Sequence, residues 1–289
     1  MTAAGAVRAR LADGRWHFQH GPIDLVIGVD GAPAAVGAAL ESAWMRFAGV
    51  LGELAGELAL LRAPCVAPAP TPHGPVARRM VQACQPFAER FGLFVTPMAA
   101  VAGSVAQEIV AHFGRDGIRR AWVNNGGDIA LWLAPGATLA IGVVADVDAP
   151  EIGATLRVGH GDAPRGIATS GWRGRSFSLG IADAVTVLAP SAAMADAAAT
   201  MIANAVDVDH PAVRRAPASD LRDDSDLGER LVTVAVGALS PAAVQAALDR
   251  GERFARRCIA QGLVAQAMLS LQGRSRIVAD HRTEALAPA

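Results

Sequence analysis

Residues 165–206 constrain the fold most. They run from a small-residue turn, Ala168-Thr169-Ser170-Gly171, through an alternating apolar run at 182–188, into an alanine-rich helical pattern. Alternation at a period of two predicts a strand with one face buried. The helical period that follows sets Asp196 and Thr200, four residues apart, on one face. Their neighbours Ala195, Ala197, Ala198 and Ala199 leave that face uncrowded. A turn, a strand and a small-faced helix in succession predict a site where backbone and ligand can approach closely.

The rest of the chain reads as elements around that stretch. Residues 7–29 predict two short strands, at 16–19 and 24–29, joined by a His20-Gly21-Pro22 turn. Pro33 opens a long amphipathic helix with apolar positions Val36, Leu40, Trp44, Phe47, Leu51 and Leu54, continuing to Leu61 and stopped by Pro64. A Pro-rich loop at 64–75 leads to helices at 76–91 and 98–113. Strands follow at 120–124, 129–133, 139–144 and 152–158. Beyond the central stretch, 207–228 reads as a solvated polar loop, 230–236 as a strand, and 241–262 as a helix capped by Ser240. A hairpin at 263–271 and 276–279 and a frayed tail close the chain. This order predicts an α+β fold, a mixed or antiparallel sheet packed with helices, over a single domain spanning 1–289.

Composition removes several classes of function. Charged residues make up 18% and hydrophobic ones 52%, which predicts a chain able to bury a core. The net charge of −1 carries no basic block of the kind that binds nucleic acid. All 26 basic residues are Arg, so a Walker-type lysine and a Schiff-base lysine are both excluded. Three cysteines, Cys65, Cys84 and Cys258, form neither a disulfide framework nor a metal motif. No amino-terminal apolar core or membrane-length run is present, and the expectation is a cytoplasmic protein with no membrane partner.

Three segments could carry chemistry, each with a plainer structural reading. Asn124-Asn125-Gly126-Gly127-Asp128 between strands fits a tight hairpin. It also fits a turn whose bare Gly126 and Gly127 backbone admits a ligand, with Asp128 accepting hydrogen bonds from it. The start of the 98–113 helix, with Ala99, Ala100, Ala102, Gly103 and Ser104, suits either close helix packing or an anion on free N–H groups. Asp196 and Thr200 suit either the helix dipole or a hard cation such as Mg²⁺.

Taken in order, NGGD (125–128), ATSG (168–171) and TVLAPSAAMADAAAT (186–200) resemble the ApbE superfamily of Mg²⁺-dependent FAD:protein FMN transferases. PMAAVAG (97–103) and SFSLGIADAVTV (176–187) are similar to a family of ApbE-related proteins that lack the transferases' export signal. The match is best over 90–206. The resemblance implies a pocket for a phosphate-containing nucleotide or flavin-like ligand such as FAD. Asn125, Gly126, Gly127, Asp128, Ala168, Thr169, Ser170 and Gly103 would contact it, and Asp196 and Thr200 would hold Mg²⁺. It leaves a homodimer open, and a link to one-carbon or pterin cofactor metabolism is a further expectation.

Departures from the transferases matter as much. Their GGIAKG segment carries a Lys where this chain has Gly103. Their H-x-x-D-P-x-TG segment is absent between 172 and 181, which contains no His. Asp183 and His160 are the residues left to test as a general base. Arg165, Arg173 and Arg175 are candidates to replace lost lysine contacts to phosphate. Two expectations follow: an enzyme acting at a pyrophosphate, or a binding protein that kept the pocket and lost the transfer.

Overall fold

A computed structural model describes residues 5–66, 71–144, 152–279 and 286–288. In chain order the elements are β1 (Val7–Arg10), β2 (Trp16–His20), β3 (Ile23–Gly31), α1 (Pro33–Gly56), α2 (Leu58–Leu61) and α3 (Pro75–Phe91). A 3₁₀ turn at Pro97–Ala100 leads into α4 (Val101–Val110), followed by β4 (Ile118–Asn125), β5 (Asp128–Leu133), β6 (Thr138–Val144) and β7 (Ile152–Gly159). Then come β8 (Gly166–Ser170), β9 (Ala184–Ala189), α5 (Ala192–Ala205), β10 (Val213–Pro217), α6 (Ala218–Leu221) and β11 (Leu231–Val236). The chain closes with α7 (Pro241–Ala260), β12 (Gln266–Leu271), β13 (Arg274–Ala279) and β14 (Leu286–Pro288). The fold is α+β with antiparallel pairing in every registered ladder. No described helix is long and apolar enough to cross a membrane.

The chain divides into two compact units. The first comprises 1–139, 158–168 and 190–196. Its sheet is a meander, β1 to β5, with β8 added beside β5 through Ile129↔Ile167 and Ala130↔Gly166. Helix α1 packs on β2 and β3, and α4 on β4 and β5. Burial follows the pleat: Ala121, Val123, Asn125, Asp128 and Ala130 face inward, while Trp122, Asn124 and Ile129 are only half-buried. Phe18, Leu25, Ile27, Phe47, Phe87 and Phe113 are fully enclosed and are among the largest side chains of this core.

The second unit comprises 140–157, 169–189 and 197–289. Strand β12 pairs with β9 on one side and β13 on the other, and α7 packs on β12 and β13. The predicted Ser240 cap is present, its Oγ accepting from the Ala243 N–H at 3.2 Å. Strands β10 and β11 form a separate ribbon, and β14 pairs with β7.

Four expectations change. Residues 168–170 belong to strand β8 rather than to a turn; Ala168 is fully buried there and Thr169 is bonded to Thr186 of β9. Strand β9 is buried at every residue, not on alternate ones, and its one hydroxyl, on Thr186, pairs with Thr169 at 2.8 Å. The stretch 207–228 is ordered into β10 and α6, since β11 supplies a partner strand and Ala218 is fully buried. An unpredicted β1 pairs with β2; all four of its residues are exposed, so it leaves no hydrophobic period to read. Part of the Pro-rich loop (67–70) and of the tail (284, 285 and 289) lies outside the described residues, whereas 286–288 form β14.

Candidate functional site

The hairpin of β4 and β5 turns on Gly126 and Gly127, with φ of +64° and +114°. Both angles fall where only glycine is unstrained, which explains the pair of them. The Asn124 Oδ1 accepts from the Gly127 N–H at 2.8 Å and closes the turn. Tight closure keeps Asn125 directly across from Asp128, so both side chains leave the same face of the sheet. Both are buried, at 8% and 9% exposure.

That face meets the start of α4. Asn125 Nδ2 donates to the Ala102 carbonyl at 3.1 Å. The helix has no side-chain cap of its own. A carboxylate from far along the chain takes that place: Asp196 Oδ2 accepts from the Gly103 N–H at 2.9 Å, and its carboxyl also accepts from the Ala102 N–H. An anion at the leading amides of a helix is favoured by both hydrogen bonding and the dipole. An acid of the chain itself thus stands at these amides.

Asp196 reaches that position because α4 and α5 cross closely. A Cβ built on Gly103 would lie 2.2 Å from the Ala192 carbonyl oxygen and 2.9 Å from Asp196 Cβ. Gly103 at the start of α4 is therefore a packing requirement. The first turn of α5 is fixed twice, by Ser191 Oγ accepting from Met194 N–H (3.3 Å) and Gln107 Oε1 accepting from Ala193 N–H (3.2 Å). Sequence reading missed Gln107, though its spacing of four from Gly103 places it on the same helix face.

Asp196 and Asp128 are two acids held near one another. The Asp196 carboxyl is pushed well above the usual carboxylate range, first by burial and then by the Asp128 charge, against the pull of the Gly103 and Ala102 N–H groups. The unfolded chain ionises this group near 3.8, so above that value the folded state holds more protons. Stability therefore falls as pH rises through the window between the unfolded and folded values. Asp207, raised by burial, adds a slope of the same sign. His112, lowered by burial, opposes it, as does Glu108, where burial pushes upward but Arg46 and Arg79 prevail and lower it. The difference between wild-type and Asp196→Asn melting curves cancels those shared contributions. In metal-free buffer wild type is expected to lose melting temperature relative to the variant as pH rises above the unfolded value. A flat difference would show that the carboxyl is not perturbed.

The other sequence candidates sit elsewhere. Ala168 is buried in β8 of the first unit. Thr169, Ser170, Asp183 and Thr200 belong to the second unit, with Thr200 one turn beyond Asp196 along α5. Asp183 accepts from Trp172 Nε1 (3.2 Å) and the Gln272 N–H (2.5 Å), and pairs with Arg173 at 3.5 Å. His160 Nδ1 lies 2.7 Å from the Leu133 carbonyl; a carbonyl only accepts, so Nδ1 carries the proton and Nε2 keeps the lone pair. Arg165 is folded onto the carbonyls of His160, Asp162 and Pro164, and Arg175 is exposed. Among the described residues no three of His, Cys, Asp and Glu gather as a metal cluster.

A family model described as AbpE bacteria matches residues 8–277. The chain belongs to that family. Within the ApbE-like group it is 40% identical over 133 residues to a UPF0280 protein of Methanothermobacter thermautotrophicus, covering 46% of this chain and 49% of that one. It is 37% identical over 163 residues to a UPF0280 protein of Methanopyrus kandleri, covering 55% and 61%. The chain thus spans about half the length of the curated relatives it matches. The apo flavinyl transferase ApbE of Pseudomonas stutzeri aligns at 13% identity and a TM-score of 0.47, over 96% of this chain and 94% of its own.

Proposed function

We propose that this ApbE-like protein binds a phosphate-containing flavin or nucleotide, such as FAD, together with Mg²⁺. The supporting observation is the Asp128–Asp196 acid pair beside the amides of α4. Where burial and the Asp128 charge disfavour ionisation of Asp196, a divalent cation would favour it, and Mg²⁺ prefers such oxygen donors. Thr200, one turn along α5, adds a hydroxyl of the same kind. The donor set therefore fits the ion that the family resemblance implies. When bound, Mg²⁺ would neutralise phosphate charge and polarise a pyrophosphate. Asn125, Gly126, Gly127 and Ala168 are proposed to shape the surrounding pocket, and Thr169 and Ser170 stay ligand candidates on the family resemblance alone.

Of the two expectations, binding without flavin transfer is the better supported. Asp183 is already engaged by Trp172, Gln272 and Arg173, and His160 offers only Nε2 as a base. Transfer to a hydroxyl needs a base free to take its proton. The transfer reading keeps its place through the acid pair itself, which is what a metal-assisted pyrophosphate cleavage requires.

Incubation with FAD and Mg²⁺ separates the readings. Retention of FAD on gel filtration, with no FMN or AMP released, is the expected result. Release of FMN and AMP would move the assignment to the transferase. Failure of FAD and of every adenine nucleotide to bind would discard the ligand class.

A further inference from the structure

We infer that Asn125 is a positioning residue, whose amide sets the direction of the α4 amides that hold Asp196. Its role toward the cation rests on the binding reading above; its role toward the amides does not. In the sequence Asn125 reads either as part of a turn or as a ligand contact. The geometry gives its donor another partner. Nδ2 is spent on the Ala102 carbonyl at 3.1 Å, and the residue is 8% exposed.

The consequence runs through one peptide unit. The carbonyl that Asn125 holds belongs to the bond whose N–H is that of Gly103, the donor to Asp196 at 2.9 Å. A peptide group is planar, so fixing its oxygen from one side fixes the direction of its N–H on the other. The hairpin thereby orients the donor that holds the acid. The cross-strand register adds a second link, because Asn125 sits opposite Asp128, the other acid of the pair. One residue thus ties the position of both carboxyl groups to the two-glycine turn. Partners of this outer kind typically change metal affinity about 10- to 100-fold when removed.

Two measurements on the full chain test this. Amide hydrogen exchange by NMR reads the Gly103 and Ala102 N–H groups directly, and Mn²⁺ titration followed by EPR reads the cation. Asn125→Ala is expected to speed exchange at Gly103 and Ala102 by tenfold or more while Ile109 and Val110 at the far end of α4 stay within twofold. Asn125→Asp, equal in size but without the donor, is expected to do the same at Gly103 and keeps the test open if the alanine variant folds poorly. Mn²⁺ affinity is expected to fall about tenfold in Asn125→Ala. Unchanged exchange at Gly103 in both variants would overturn the positioning role. If wild type binds no Mn²⁺, the cation reading fails while the exchange result still decides the role of Asn125.

Discussion

Asp196→Ala is expected to weaken Mn²⁺ or Mg²⁺ binding by more than about 100-fold, the largest functional effect of any single change in this site. Calorimetric titration checks it, with Asp128→Asn as a companion expected to lose about tenfold. The stability change should be small by comparison, because two effects oppose. Removing the acceptor leaves the Gly103 and Ala102 amides without Asp196, a cost of about 1–3 kcal/mol. The same change removes a carboxylate held near Asp128 in a poorly hydrated setting, which returns much of that cost. A large loss of cation binding with little change in melting temperature would separate the chemistry from the fold. Retained binding in Asp196→Ala would exclude this carboxylate as a ligand.

Gly103→Ala carries the largest expected effect on stability. The added methyl would stand 2.2 Å from the Ala192 carbonyl oxygen, a backbone atom with no rotamer to escape through. Overpacking of this severity costs about 3 kcal/mol, on the order of 10 °C in melting temperature for a chain of this size. Gly52→Ala in α1 provides the contrast, since nothing lies within 4 Å of where its methyl would go. There the better helix propensity of alanine should raise stability by about 0.5–1 kcal/mol. Thermal unfolding of the two variants, side by side, distinguishes a close helix crossing from a general intolerance of alanine. Equal shifts in both would mean that α4 and α5 do not approach as described.

What could be read from the amino acids depended on whether an element's reason for existing was local. The Ser240 cap and the Gly126-Gly127 turn form where expected, and α1 starts at Pro33 as expected but ends at Gly56, with α2 a separate turn ending at Leu61. The cap, the turn and the long apolar period of α1 each carry their cause within a few residues. Strand β1 does not: all its residues are exposed, and only pairing with β2 makes it a strand. The β10 segment is likewise polar, with Arg215 bound to Asp207, and takes its form from β11. The same division runs through the site. Gly103 and Asp196 could be singled out by residue type and motif, but their hydrogen bond joins positions 93 residues apart. Residue type alone left open whether the leading amides of α4 awaited a foreign anion or already had one. Gln107 escaped notice because a glutamine on a helix carries no signal until its partner, the first turn of α5, is known.

The internal capping of α4 also restricts what can dock beside it. A helix end that usually attracts anions is here already occupied by an acid, with a second acid nearby. A bare phosphate arriving at that place would meet repulsion instead of a welcoming dipole. Under the proposed function, a phosphate escorted by a divalent metal would meet the opposite, so discrimination between naked and metal-complexed nucleotides would arise from one side chain folded back onto its own backbone.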